Sequence, residues 1–372
     1  MLSGQVNCAR LTRALKTVFK LTQSVKRQFS ENAAASTTVF QESRHLEDSS
    51  HDKCEETKLV KVAIIGAPNA GKSSLINQLT GRMLCPVSKK VHTTRCRARA
   101  VSIQDTTQII FLDTPGLVTA TEMQRFNLEE SFLQDSELAL MEADLLGVIH
   151  DVSNRWTSGS LDAKVLRLLE LYPEKSSFLV LNKVDLVKNK RKLLELVNVL
   201  TDYNLRKETR NPKKTKQLSE TRVKDIVKEK SGWGNFSEVF IVSALSGDGV
   251  DKIMDHILMA AKPGKWLYAP SHMSDVSPNK LIARTVKAKL LEHFPQEVPY
   301  NLKTTVEYLD DSNSDLITAV VGVYCPTARI QKLVIGTKGR KIQMVAREAE
   351  VDLRNAFHRS VHLKIAVSSP KK

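Results

Sequence analysis

Gly66-Ala67-Pro68-Asn69-Ala70-Gly71-Lys72-Ser73 decides the fold, because it satisfies G-x-x-x-x-G-K-[ST] at every fixed position. An apolar run, residues 60–65, precedes it and a helix-like stretch, residues 73–79, follows. The spacing therefore predicts strand, loop and helix in that order. Glycines let backbone N–H groups converge on phosphate oxygens, and the N-terminus of the following helix favours an anion. Lys72 is expected to neutralise the β- and γ-phosphates of a nucleotide, and the Ser73 hydroxyl to sit on Mg²⁺. Gly66, Ala70, Gly71 and Ser74 complete this cradle.

Three further stretches narrow the chemistry. Asp113-Thr114-Pro115-Gly116 follows an apolar strand at 109–112, about 40 residues after the loop. A carboxylate at a strand end can hold Mg²⁺ through water, and the Gly116 N–H can reach a γ-phosphate and sense its presence. Asn182-Lys183-Val184-Asp185 follows residues 177–181. Asp185 can accept hydrogen bonds from guanine N1–H and N2–H₂, donors that adenine lacks, so this stretch selects GTP over ATP. Ser243-Ala244-Leu245, after 239–242, can supply a backbone N–H to guanine O6.

The order of these stretches, with Thr93-Thr94-Arg95 between the first two, matches the five signatures of the translation-factor-related GTPases. More narrowly it resembles the Era family, within the TrmE-Era-EngA-like GTPases. His92-Thr93-Thr94-Arg95, Asp113-Thr114-Pro115-Gly116-Leu117 and Arg155-Trp156-Thr157 carry the resemblance. It implies GTP hydrolysis, with Lys72, Thr94 and Gly116 at the reacting phosphate. Thr94, with Thr93 as the alternative, is assigned to Mg²⁺ and γ-phosphate sensing, alongside Ser73 and Asp113. Leu117 stands where Ras-like proteins carry a water-orienting Gln, and an aliphatic side chain cannot orient water. Hydrolysis is then expected to be slow and to use backbone groups, a cation or a partner. In similar GTPases an Asn at the Asn69 position ligates K⁺; the other reading of Asn69 is a turn residue.

The pattern changes after residue 264. Residues 278–294 read as a helix with one apolar stripe, ended by Pro295 and Pro299. Two strands, 302–309 and 316–324, a short helix at 327–333, a long helix to about Phe357 and a strand at 362–367 complete the order αββααβ. Gly336-Thr337-Lys338-Gly339 lies between the last two helices. This arrangement resembles a type II KH domain, an α+β unit following the α/β nucleotide domain with its mostly parallel sheet. The resemblance implies that the G-x-x-G loop grips single-stranded RNA, with Gly336, Thr337, Lys338, Gly339, Arg340 and Lys341 at the phosphates.

Charge divides the chain in a compatible way. The net charge of the 372 residues is +15. Residues 1–30 carry +6, residues 205–230 carry +6 and residues 278–372 carry +7, so the remainder is mildly acidic. A basic C-terminal segment suggests a polyanionic partner such as RNA, against the alternative of a solvated basic surface. Residues 1–30 hold no acid and place Leu11, Leu15, Val18 and Phe19 near helical spacing among Arg and Lys, the composition of a mitochondrial transit peptide. Arg27-Gln28-Phe29-Ser30 resembles a matrix-protease site cut after Phe29; a basic arm is the other reading. Five cysteines without zinc-like spacing fit a reducing compartment, and no run of 18 apolar residues is present.

The expected organisation is a transit peptide at 1–29, a linker at 30–57, a GTPase domain at 58–264 with a solvent-exposed basic insert at about 205–230, and a KH domain at 278–372. The expected function is a GTP-dependent assembly factor of the mitochondrial matrix. Its implied partners are the single-stranded 3′ region of small-subunit rRNA and the mitoribosomal small subunit, with a peripheral contact to the inner membrane and no stable homo-oligomer. Two other classes remain: a GTPase switch that regulates a protein or membrane partner, and a non-hydrolysing RNA chaperone with structural GTP.

Overall fold

The computed structural model describes residues 57–88, 98–114, 131–154, 156–204, 220–270, 274–295 and 298–370. Residues 55–372 form one compact unit. The expectations for the transit peptide and for Thr93, Thr94, Gly116 and Leu117 lie outside the described residues.

Strand β1 (Lys58–Gly66) is the centre of the first sheet. It pairs in parallel with β3 (Thr107–Asp113) on one side and β4 (Leu145–Asp151) on the other. Beyond β4 come β5 (Ser176–Asn182) and β6 (Phe236–Ile241), both parallel; beyond β3 the hairpin partner β2 (Ala98–Gln104) is antiparallel. A two-residue strand, β7 (Lys262–Pro263), pairs with the start of β1. Among the described residues the sheet order is β2-β3-β1-β4-β5-β6, so the direction of winding reverses around β1. In such a sheet the crevice at the carboxyl ends of the strands beside the reversal receives the ligand.

Helices cover both faces, which is why residues 62–65 of β1 and 109–112 of β3 are unbroken apolar runs. Ala63 and Ile65 face a core shared with helices α2 (Ser131–Glu142) and α3 (Ala163–Leu171). Val62 and Ile64, one residue out of phase, face the other core, built on α1 (Lys72–Thr80) and, later in the chain, a helix at Val250–Met259. Between them in sequence lie α4 (Arg191–Leu200) and α5 (Glu220–Glu229); the Val250–Met259 helix is α6.

The second half of the basic insert differs from expectation. Helix α5 docks on the nucleotide domain with Val223 buried, and Lys230 pairs with Glu170 of α3 at 2.5 Å. Two apolar positions at helical spacing, Val223 and Val227, anchor it.

The last segment packs helix α7 (Pro278–His293), α8 (Ala328–Ile335) and α9 (Arg340–Phe357) on one face of a three-stranded sheet. Its central strand β9 (Leu316–Tyr324) is antiparallel to β8 (Lys303–Asp310) and parallel to β10 (Ser360–Ser368). Alternate residues Ile317, Ala319, Val321 and Val323 of β9 fill the core with Val345, Ala349 and Leu353 of α9. No helix among the described residues is long and apolar enough to cross a membrane.

The segment between the two sheets is strapped along the β2–β3 hairpin. Buried Gln108 accepts from the N–H groups of Leu267 and Tyr268 and donates to the Tyr268 carbonyl. Trp266 donates its indole N–H to the Thr106 carbonyl at 3.1 Å. Arg99 of β2 donates to Glu142 of α2 through one nitrogen and to the Tyr268 hydroxyl through another; its backbone binds Asp275 and Ser274.

Candidate nucleotide site and nucleic-acid loop

The loop between β1 and α1 reverses through two left-handed residues, Asn69 (φ 60°) and Gly71 (φ 102°). Each has a different tolerance. A Cβ at Gly71 would collide with the Asn182 amide, and one at Gly66 would collide with the Ile149 carbonyl. Both glycines are therefore required by close approach of neighbouring strands, besides any approach to phosphate.

Lys72 is buried, and its Nζ donates to the carbonyls of Gly66 (3.1 Å) and Ala67 (2.9 Å). Burial lowers its pKa from 10.5 to about 8, with Asp113 and Asp162 opposing that shift. A polyphosphate would supply the charge that the burial withholds. The Ser73 hydroxyl donates to Asp113 Oδ2 at 3.1 Å, so the hydroxyl and the carboxylate expected on Mg²⁺ are brought together. No group of three His, Cys, Asp or Glu suited to a metal exists among the described residues. A divalent ion here would need phosphate oxygens to complete its shell, which fits a metal carried with a nucleotide. Cys85 lies against Asp113; burial first, and then the carboxylate's charge, push its thiol well above the ordinary range, so it stays protonated.

Asn182 joins the loops. Its amide donates to the Ala70 carbonyl at 2.8 Å, and its Oδ1 accepts from the Ala244 N–H at 2.9 Å. Lys183 stands in left-handed conformation and reaches Asp151 at 2.6 Å. Burial of Asp151 acts against its charge, but Lys183 and Ser153 outweigh that and hold its pKa below the ordinary carboxylate value. Asp185 is exposed at the rim, and Leu245 is exposed beside it. Ser243 is buried, its hydroxyl accepting from the Ser246 N–H, so it shapes the turn that presents Ala244.

A cavity of about 550 Å³ brings Asn69, Gly71, Lys72, Ser73, Ser74, Asn182, Lys183, Asp185, Ala244 and Leu245 together. Thr114 is not among them. Its hydroxyl donates to the Ile64 carbonyl at 2.7 Å and is fully buried, so this side chain ties β3 to β1 and is not placed to touch a nucleotide. The cavity has a wall that sequence reading missed: Lys289 and Glu292 of α7 and Asp352 of α9 line it, with Lys289 and Asp352 paired at 2.8 Å.

The G-x-x-G loop caps α9. Gly336 (φ 70°), Lys338 (φ 52°) and Gly339 (φ 75°) are left-handed, and a Cβ on Gly336 would stand 2.8 Å from Lys341 Cγ. Thr337, Lys338, Arg340 and Lys341 are exposed. Lys341 also lies 5.8 Å from the Phe294 ring centre, so its ammonium is drawn toward α7 as well as toward solvent.

A phosphate loop at the reversal point of a parallel sheet, a carboxylate at the rim of its cavity and a separate KH fold define a P-loop GTPase joined to a type II KH domain. A family model described as 50S ribosome-binding GTPase matches residues 61–183. The chain is 39% identical to the mitochondrial GTPase Era of Salmo salar over 85% of this chain and 77% of the relative. It is 28% identical to GTPase Era of Ehrlichia ruminantium (strain Welgevonden) over 82% and 90%. Among solved structures, Era with MgGDPNP and nucleotides 1506–1542 of 16S ribosomal RNA superposes with a TM-score of 0.63 at 25% identity, covering 85% of this chain and 95% of that one. Aquifex aeolicus Era Y63A with GDP·AlF₄⁻ gives 0.64 at the same identity and coverage. The chain belongs to the Era family of GTPases.

Proposed function

We propose that this GTPase works in the mitochondrial matrix, where it grips the single-stranded 3′ region of small-subunit rRNA and acts as a GTP-dependent assembly factor of the mitoribosome. The observation that carries the reading is the joining, in one compact unit, of a phosphate-loop cavity with Asp185 at its rim and an exposed G-x-x-G loop. It is supported by the likeness to an Era solved with a GTP analogue, Mg²⁺ and a 16S rRNA fragment, and by relatives named mitochondrial. Residues 1–29 act as the address and are removed near Ser30.

Lys72 and Ser73 hold the phosphates and Mg²⁺ with Asp113, Thr94 senses the γ-phosphate, and Gly116 reports its loss. Turnover is slow, because Leu117 cannot place a water, and K⁺ held with the help of Asn69 stimulates it. Equal turnover in KCl and NaCl at matched ionic strength would remove the K⁺ role. RNA crosslinking with sequencing in isolated mitochondria tests the whole: reads should concentrate near the 3′ end of small-subunit rRNA. Enrichment of a protein partner with no rRNA would favour a protein-directed switch.

A further inference from the structure

Helix α9 begins at the G-x-x-G loop and runs 18 residues, about 27 Å at 1.5 Å per residue. Its buried face is Val345, Ala349, Leu353 and Ala356. Opposite that face, Arg340, Arg347 and Arg354 recur every seven residues and all three are exposed. The helix's acids are engaged elsewhere: Glu348 with His293, Asp352 with Lys289, and Glu350 with the Leu363 N–H. A cationic ladder therefore leads away from the loop; the one carboxylate beside it, Glu350, three residues after Arg347 and four before Arg354, accepts from the Leu363 N–H.

The ladder ends in a second cavity, of about 660 Å³, between α9 and the end of α1. Arg354, Asn355, His358 and Arg359 line one side; Asn77, Gln78, Gly81 and Arg82 line the other. No carboxylate lines it. The Arg359 guanidinium is fixed on the backbone carbonyls of Asp311 and Asn313. On the opposite wall Asn77 holds Cys85 through both backbone groups, at 2.7 and 2.8 Å, which fixes the loop carrying Arg82 and Met83.

We propose that this groove is a second phosphodiester site: RNA gripped at the G-x-x-G loop continues along Arg340, Arg347 and Arg354 and enters the groove against Arg82. The site rests on the RNA reading above and extends it from one domain to both. A KH loop takes about four nucleotides. The path from Arg340 to Arg354 adds about 20 Å, roughly six nucleotides at a stacked spacing of about 3.4 Å per phosphate. RNA in the groove would touch the segment that leaves the phosphate-loop helix.

Two synthetic RNAs test this on the full chain, one of about six nucleotides from the 3′ end of small-subunit rRNA and one extended to about sixteen. The parent should bind the longer RNA about tenfold more tightly, and with a steeper salt dependence, since each added single-strand phosphate contact contributes about 0.7 to the slope. Arg82→Gln/Arg354→Gln should abolish the advantage of length and leave short-RNA affinity in place. Hydroxyl-radical protection on the parent, independent of any variant, should extend about ten nucleotides. If the double variant keeps the length advantage, or the footprint stops at four nucleotides, the groove is not an RNA site and the loop reading stands. If the variant weakens both RNAs equally, the arginines act only as a diffuse field and the track is wrong. If the parent binds neither RNA, the RNA reading itself falls and the groove falls with it.

Discussion

The Asn182 side-chain amide donates to the carbonyl of Ala70, 112 residues earlier in the chain, at 2.8 Å. The same side chain accepts from Ala244, so one buried asparagine locks the phosphate loop, the end of β5 and the loop after β6 into a single frame. Its task is to position the loops, while Asp185 stands exposed at the cavity rim.

Asn182→Ala should leave the Ala70 carbonyl and the Ala244 N–H buried and unpaired. Each such group costs about 1–3 kcal/mol. GTP affinity should fall at least tenfold, since 1.4 kcal/mol is tenfold, and the melting temperature should fall with it. Titration of a fluorescent GTP analogue checks the first and calorimetry the second; a variant that melts and binds like the parent would show that the bridge is idle.

Lys72 gives a pH dependence of definite sign. Burial disfavours its ammonium, so in the free protein it loses its proton near pH 8 and not near 10.5. Bound polyphosphate favours the charged form and raises that pKa again. Above about pH 8, binding must take up a proton, and GTP affinity should fall by up to about tenfold per pH unit. For folding of the free protein the sign reverses: the unfolded chain keeps its proton up to 10.5, so this group's penalty is full below 8 and is relieved as pH rises from 8 to 10.5. Calorimetry at pH 8.5–9 in buffers of different ionisation enthalpy measures the uptake; absence of uptake in the parent would remove Lys72 from the phosphates.

The phosphate loop was legible because its chemistry is local: glycines, Lys72 and Ser73 sit within eight residues, between an apolar run and a helix. The same holds for the G-x-x-G loop. What could not be read depends on contacts between distant residues. Thr114 looks like a nucleotide ligand in its motif, yet only the pairing of β3 with β1 reveals that Ile64 takes its hydroxyl. The Lys289–Asp352 pair that walls the cavity joins two helices 63 residues apart in the chain. In α5, the apolar signal of Val223 and Val227 is obscured by the surrounding charge, so the sequence reads as an exposed insert where the structure has a docked helix.

Asp185 is exposed at the cavity rim with its carboxylate available to a base. Asp185→Asn replaces one acceptor by a donor. GTP binding should weaken by about 1–3 kcal/mol, the cost of an unsatisfied polar group, and xanthosine triphosphate should improve, because its 2-oxo group needs a donor. Competition binding with the two nucleotides checks this, and full retention of GTP affinity would mean that another residue reads guanine.

Thr337→Asp/Lys338→Asp sets two negative charges on the exposed turn between α8 and α9, while the glycines that supply its left-handed backbone remain. Single-stranded rRNA binding should be lost, with GTP binding and basal hydrolysis kept. Both affinities must be measured at one salt concentration, since phosphate contacts are salt-sensitive. Undiminished rRNA binding would move the principal RNA site away from this loop.

Arg99 is the point at which β2, α2 and the interdomain strap meet. Its side chain holds Glu142 at 2.9 and 3.0 Å and the Tyr268 hydroxyl at 3.1 Å, and its N–H donates to Asp275 at 2.8 Å. Hydrogen bonding to Glu142 is the largest cause of its raised pKa. Glu142 keeps a second cation, Lys61 at 3.7 Å, so Arg99→Met does not leave it alone. The pair is partly exposed, and the stability lost should be only about 1 kcal/mol. Asp275→Ala removes the cap on the Arg99 N–H but leaves Gln108 holding Leu267 and Tyr268. The double variant should therefore fold, loosen the strap around 274–277 and speed proteolytic cutting there. A larger consequence follows from position, because the strap leads directly into α7, which lines the nucleotide cavity through Lys289 and Glu292. If RNA and GTP are linked, the factor by which each changes the other's affinity must be equal. In the Arg99→Met/Asp275→Ala variant that factor should move toward one from both directions, while each ligand alone binds as in the parent. Titrating GTP with and without saturating rRNA, and rRNA with and without GTP, gives both measurements. An unchanged factor in a variant whose strap is demonstrably cut faster would show that coupling travels through the Lys289–Asp352 wall and not through Arg99.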